Sequence, residues 1–341
     1  MLLHQFERWS PFQIDALGII TLIGAEEVDR AVGRLTHSYL TDWLPLLGVY
    51  KVSGNAFKER IPGFVLYNIT DGILAPDLTG WFARWVLCQN ISFSSTTIYI
   101  SVIQHPRSSY SVAAATIGFL SLALPIILSI LVGDWWGFAN AMSMASSVVV
   151  RRIILEANES ALDKILEGDG QLPDEMVKVF VTTPSGDAVT VFTSRRVVLD
   201  CLLTTPHPQK PTLYRLTRAV GWLAFGTQTI ALGMSSLLIQ MVSVLIICIS
   251  TVMVVAQVGS NEMRVGTRLK LLRKDANVSE GLRPAAYARL RLTKEEEDSM
   301  VAWNLFPHRT NVDWWQRYRA RVRALESCDE KLEEIFNISR E

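Results

Sequence analysis

The chain has 341 residues, 49% of them hydrophobic, and its 33 basic residues balance its 33 acidic residues. This composition, with a positive mean hydropathy, excludes a disordered chain and leaves room for one membrane region and one or two modest soluble regions. The zero net charge gives no indication of a nucleic-acid partner, and we expect none.

The N-terminal region, residues 1–110, is predicted to be mixed and partly membrane-interfacial. Val28, Ala31, Val32 and Leu35 recur at helical spacing between charged residues, which is typical of an amphipathic helix on a core or a membrane surface. Residues 85–104 carry no charged side chain but contain many serines and threonines. This composition fits a poor membrane span or, about as well, an extended strand.

The first transmembrane hairpin is predicted at residues 111–155. Ser111 to Gly133 is uncharged for 23 residues, long enough to cross a bilayer about 30 Å thick. Asp134 ends this span because a carboxylate at mid-membrane costs about 2.5 to 3.5 kcal/mol. Trp135 and Trp136 are then candidate membrane-interface anchors, and a second helix returns immediately through Val150.

The second transmembrane hairpin is predicted at residues 216–258, since Ala219 to Val258 contains no charged side chain. Both hairpin turns are short, so every soluble segment should face one side of the membrane. The basic residues that flank the spans place that side in the cytosol by the positive-inside rule. Glycosylation sequons on that side would stay unused; they begin at Asn68, Asn90, Asn158, Asn277 and Asn337.

The soluble segment 156–215 contains alternating valines on both sides of a Pro-Ser-Gly-Asp turn, which predicts a β-hairpin at 177–193. The soluble α/β tail, 259–341, offers two more alternating stretches, 264–273 and 285–292. It also contains a capping box, Thr293 with Glu296, and a final amphipathic helix from Asn311. Because a lone hairpin is marginal in water, we expect these strands to join one small sheet.

The predicted fold class is therefore membrane α-helical, with four transmembrane helices arranged as two tight hairpins. A small α+β domain built from the middle loop and the C-terminal tail faces the cytosol. The multipass protein contacts the lipid bilayer, and small-residue helix faces suit a protein partner or an oligomer.

The final helix has two interpretations. As a basic amphipathic helix it would lie on anionic headgroups. Its candidate lipid-surface contacts are Trp314, Trp315, Arg317, Arg319, Arg321 and Arg323. Alternatively, its aromatic side chains pack on the sheet and its arginines are solvated.

Sites for chemistry are sparse. The chain lacks the common nucleotide-binding, hydrolase and metalloprotease motifs. Its four cysteines and five histidines are dispersed, so we expect no metal and no cofactor. Asp71 and Asp77, in a partly apolar stretch, and Asp134 are candidate catalytic acids. The alternative is that they cap turns and helices.

Several stretches together resemble a family of filamentous-fungal (ascomycete) multipass membrane proteins. The resemblance covers residues 64 to 320 and is carried by DLTGWFARWVLCQ, RSSYS, GDWWGFANAMSM, TPSGDAVTVF and AWNLFPHRTNVDWW. That family has no assigned activity, so the resemblance implies an ascomycete source and adds no site.

The leading hypothesis is a polytopic membrane scaffold or adaptor without enzymatic activity. One alternative is a membrane-embedded, cyclase-like enzyme or accessory protein that acts on a lipophilic substrate in fungal secondary-metabolite biosynthesis. A second alternative is a small transporter or channel subunit. The predicted spans carry no ionisable residue, which ion-coupled transporters usually have.

Overall fold

A computed structural model describes residues 25–46, 49–89, 91, 94, 96–103, 111–167, 175–275 and 283–326. The sequons at Asn90, Asn277 and Asn337 lie outside the described residues. The chain divides into two compact units, each assembled from three segments. The first unit comprises Met1–Glu59, His105–Ile165 and Pro206–Arg268, and the second comprises Arg60–Gln104, Leu166–Thr205 and Leu269–Glu341.

The described helices are numbered in chain order. They are α1 (Ala25–Gly33), α2 (Val49–Gly54), α3 (Gly80–Cys88), α4 (Val112–Val132), α5 (Trp135–Glu167), α6 (Pro211–Met234), α7 (Leu237–Val255), α8 (Arg283–Arg289), α9 (Lys294–Ala302) and α10 (Val312–Glu326). Two shorter helical turns, 3-10 at Ala56–Lys58 and π-helical at Val197–Leu203, complete the helical part.

Three helices, α4, α5 and α7, are long and apolar enough to cross a membrane within the described part of the chain. The predicted count of four spans is not confirmed, because α6 falls outside this set. Arg215 and Arg218 lie in its first half and Gln228 in its second, and these polar groups reduce its apolar character.

Two-residue connections join α4 to α5 and α6 to α7, so the helices form two tight hairpins. The first hairpin turns at Gly133, whose positive φ of 74° suits a residue without a Cβ atom. Inside the helical region, Asn140 of α5 donates to the Ser243 hydroxyl of α7 over 2.9 Å, and both residues are buried. This bond ties one hairpin to the other.

Seven strands form a mixed sheet in the order β2-β1-β4-β5-β3-β7-β6. Strand β3 pairs with β5 in parallel, whereas the pairs β1–β2, β1–β4, β4–β5 and β3–β7 are antiparallel. The strands are β1 (Val65–Asn68), β2 (Ile73–Ala75), β3 (Thr96–Val102), β4 (Met176–Thr182), β5 (Ala188–Ser194), β6 (Arg264–Val265) and β7 (Leu269–Asp275). The hairpin predicted at 177–193 is confirmed by β4 and β5.

Each face of the sheet in the second unit is covered. Alternation along β4 and β5 places Val179, Val181, Val189 and Val191 on one face, and all four are fully buried. The opposite face carries Phe180, which packs in a cluster of buried aromatic residues from the C-terminal helices. That aromatic cluster includes Tyr287, Phe306, Trp315 and Tyr318.

Two predictions for the soluble region were incomplete or wrong. The sheet draws β1, β2 and β3 from residues 65–102, so it is not built from the middle loop and the tail alone. Of the two alternatives for residues 85–104, the structure contains the strand, as β3. Of residues 285–292, predicted as a strand, 285–289 lie in α8 and 290–292 follow it without forming a strand. Alanine favours a helix, and burial of Ala286, Tyr287 and Ala288 fixes this one against the aromatic cluster.

Candidate functional site

The most concentrated group of buried charges lies in the first unit, between α5 and the segment that follows α1. We call the four residues His37, Asp42, Arg152 and Glu159 the ionic cluster. His37 Nδ1 lies 3.1 Å from Asp42 Oδ2, and His37 Nε2 lies 3.0 Å from Glu159 Oε2. Arg152 Nη1 lies 3.2 Å from the same Asp42 oxygen.

The burial of these groups explains why they are linked. Glu159 is 5% exposed and Arg152 is 6% exposed, and a buried charge without a partner costs several kcal/mol. Arg151, 3% exposed, instead donates to two main-chain carbonyls, Asp42 O at 2.6 Å and Leu44 O at 2.8 Å. Together these contacts hold residues 37–44 against α5.

The protonation of the ionic cluster follows from the same contacts. Burial lowers the pKa of His37, but hydrogen bonds and charge from Asp42 and Glu159 outweigh burial and raise it to about 9. Burial raises the pKa of Asp42, but His37 and Arg152 outweigh it and leave that pKa below its usual value. His37 is therefore an imidazolium at neutral pH.

The ionic cluster is arranged as a structural tie. A general base needs a ring nitrogen within reach of a substrate proton. Both nitrogens of His37 are occupied by carboxylates, so neither is free for that task. Chemically, the imidazolium directs one N–H to each of two carboxylates and so links the segment that contains His37 and Asp42 to α5.

Further polar residues along the same half of α5 anchor other segments. Asn158 Nδ2 donates to Tyr214 Oη of α6 over 3.3 Å. The Asp163 carboxylate accepts hydrogen bonds from the Thr267 main chain and hydroxyl and from the Arg268 main chain. The part of α5 beyond Val150 thus ties together every segment of the first unit.

Asp134, a candidate acid, lies in the turn between α4 and α5. Its Oδ1 accepts from the Gly137 amide at 2.9 Å, and its Oδ2 accepts from the Ser236 amide at 2.6 Å. Ser236 immediately precedes α7, so one carboxylate bonds the N-terminal ends of two helices. Beside it, Trp135 is 81% exposed and Trp136 is 47% exposed. Both side chains are therefore accessible to lipid headgroups, as anchors at a membrane interface must be.

Asp71 and Asp77 have different arginine partners. Both Asp71 oxygens accept from Arg195 Nε, at 2.9 and 3.1 Å, and Asn68 Nδ2 donates to Asp71 over 2.7 Å. Asp77 pairs with Arg60 over 2.5 Å, and both side chains of this pair are more than a third exposed. Each aspartate joins separate parts of the second unit through an ion pair.

The candidate lipid contacts on α10 divide into two groups. Trp315 is 4% exposed in the aromatic cluster, and Trp314 is partly buried against Tyr318, with ring centroids 5.4 Å apart. The arginines are exposed; they are Arg317, Arg319, Arg321 and Arg323. Trp315 therefore belongs to the core and Trp314 packs at its edge, whereas the four arginines are exposed.

The ionic cluster was not predicted from the sequence. Arg152 is separated from Asp42 by 110 residues, and no local spacing links such positions. Arg151 and Arg152 were interpreted only as positive flanks of a span. The available indication was the polar series Arg152, Glu159 and Asp163, whose spacing of seven and four places all three on one face of a helix.

No protein-family model, curated protein or solved structure matches the chain.

Among the described residues, no group of three or more His, Cys, Asp or Glu side chains is placed to hold a metal ion. The sequons at Asn68 and Asn158 are buried, 0% and 1% exposed.

Proposed function

We propose that the protein is a multipass membrane scaffold or adaptor, with four spans in two hairpins and a cytosol-facing mixed-sheet unit that binds partners. The observation that carries this proposal is that all three candidate acids make structural contacts within the fold. Asp71 and Asp77 bind arginines and Asp134 bonds two helix ends, so all three act as ties between parts of the fold.

The shared sheet supports a fourth span. Strand β5 precedes α6 and strand β7 follows α7, yet both pair directly with β3. A single crossing by α7 would place β5 and β7 on opposite sides of the membrane. An even number of crossings is needed between them, so α6 accompanies α7 across the bilayer.

The surface of α6 fits this assignment. Apolar side chains lie along one strip of the helix at spacings of three, four and seven residues and are exposed in the chain by itself. They are Leu213, Leu216, Val220, Leu223, Ile230 and Met234. This strip, interrupted only by the exposed Thr227 between Leu223 and Ile230, suits contact with lipid. The same parity argument applies to α4 and α5, which lie between β3 and β4.

The distribution of charge at the ends of the spans supports a cytosolic orientation. Arg215 lies near the start of α6, and Arg264 and Arg268 follow α7, so all three flank the ends of the second hairpin that lead to strands β5 and β7. Asp134 is the charged residue in the opposite turns. Positively charged flanks are retained in the cytosol during insertion.

Deletion of the gene, followed by metabolite profiling and membrane-fraction proteomics, tests the scaffold role. A scaffold predicts an unchanged metabolite profile and loss of at least one other protein from the membrane fraction. The deletion strain is then complemented with wild type or with Asp71→Asn and Asp77→Asn together. Both should restore the membrane fraction. Accumulation of a lipophilic precursor that wild type clears, and that the double variant does not clear although it is present in the membrane at the wild-type level, would identify an enzyme and refute the scaffold.

A further inference from the structure

We propose that the exposed arginines of α10 bind the anionic surface of a lipid bilayer. We call Arg317, Arg319, Arg321 and Arg323 the arginine group. This proposal goes beyond the scaffold role and depends only on residence of the chain in a membrane. It concerns the second unit, where α10 packs by its aromatic side on the rest of the fold.

The arginine group has no carboxylate partner among the described residues. Arg317 Nε donates to a main-chain carbonyl, that of Asp313, over 3.2 Å. Nearby Arg309 shows the contrast. Its guanidinium pairs with Glu297 and Asp298 and stacks over Trp315, 4.1 Å from the ring centroid. Glu297 and Asp298 are thus engaged with Arg309. Asp313, in the first turn of α10, is exposed and forms no ion pair with the arginine group among the described residues. The four arginines are exposed to solvent.

The arginine group lies on both flanks of the helix. Successive members are two residues apart, or about 200° around the helix, so Arg317 and Arg321 share one flank and Arg319 and Arg323 the other. The buried Trp315 and Tyr318 occupy the side between these flanks. A broad basic surface results, rather than a single pocket.

The chemistry of this surface favours lipid headgroups over a protein partner. The residues that dominate stable protein interfaces, Trp, Tyr and Arg above all, act in well-packed pockets that become fully desolvated. On α10 the aromatic side chains are already used by the aromatic cluster. Exposed guanidinium groups without neighbouring apolar anchors suit a diffuse anionic surface. Each such group contributes about a fivefold factor to affinity there. The membrane helices of the same chain keep this surface near a bilayer by covalent linkage.

The test uses the full-length protein in nanodiscs of phosphatidylcholine alone or with about 30% phosphatidylserine. A fluorescent non-canonical amino acid replaces Gln316, which is exposed between the arginines. Energy transfer to a rhodamine-labelled lipid then reports the approach of α10 to the bilayer. We expect higher transfer in anionic discs and its return to the neutral-lipid value in about 0.5 M NaCl, because salt screens the attraction.

Matched variants separate charge from structure. Replacing all four arginines by lysine keeps the charge and should keep the lipid dependence, whereas replacing all four by glutamine should abolish it. Single Arg319→Gln and Arg323→Gln variants should each weaken the association about fivefold if the quadruple variant unfolds. Equal transfer in both lipids, or lipid dependence that survives the glutamine variants, would overturn the proposal. Binding to an acidic protein would give the first of these results.

Discussion

His37 has its two ring nitrogens occupied by two different carboxylates, Asp42 and Glu159, inside the first unit. Such an imidazolium adds stability only while it keeps its proton. The folded pKa of about 9 lies above the ordinary value of 6.5. The stabilisation is therefore complete below pH 6.5 and is lost as pH rises through 9, a change on the order of 3 kcal/mol.

We predict that His37→Gln removes a pH-dependent part of the stability. In detergent, the thermal midpoint of wild type should fall relative to that of the variant as pH rises from 6.5 to 9. The two proteins should converge at higher pH. Burial and the charge of Arg218 lower the pKa of Lys58 to about 8. Because Lys58 titrates in both proteins, its effect cancels in the difference between their thermal midpoints. A constant difference between the midpoints from pH 6 to 10 would contradict this role of His37.

At the scale of elements, Asp134 connects the two hairpin turns by accepting from Gly137 and Ser236. Asp134→Asn retains the shape but replaces one accepting oxygen by a donor. We expect a loss of about 1 kcal/mol, and about 1 to 2 kcal/mol for Asp134→Ala, as for other helix caps. Thermal midpoints in detergent measure both losses.

The control for Asp134 is Asp77→Asn, which breaks the exposed pair with Arg60. Exposed ion pairs contribute about 0 to 1 kcal/mol, so its midpoint should stay near that of wild type. Equal effects of the Asp134 and Asp77 substitutions would show that the two hairpin turns are not coupled through Asp134.

Elements were predictable from the sequence where one local pattern determines them. The hairpin of β4 and β5 follows from alternation around a Gly186 turn, and α9 follows from its capping box, whose two reciprocal hydrogen bonds are present. Strand β3 was ambiguous because its conformation depends on pairing with β5 and β7 from distant segments. The ionic cluster was not predicted, because His37 and Asp42 acquire partners only when α5 packs against them.

At the scale of the whole molecule, the two units are interleaved in sequence. The second unit takes one segment before the first hairpin, one between the hairpins and one after the second. A fragment that begins at residue 259 would carry β7 but would lack β3, with which β7 pairs over seven residues. The C-terminal tail is therefore part of a sheet that the full chain completes.

This interleaving gives a topological prediction that separates three spans from four. One epitope is inserted at the exposed hairpin turn at Ser185 and Gly186, and a second is placed at the C-terminus. In sealed microsomes, protease added outside should digest both epitopes, because β5 and β7 belong to one sheet and the proposed orientation places that sheet on the cytosolic side. Detergent provides the control for access. Protection of one epitope alone would mean an odd number of crossings between them, which excludes α6 as a span. Protection of both would keep four spans and reverse the orientation.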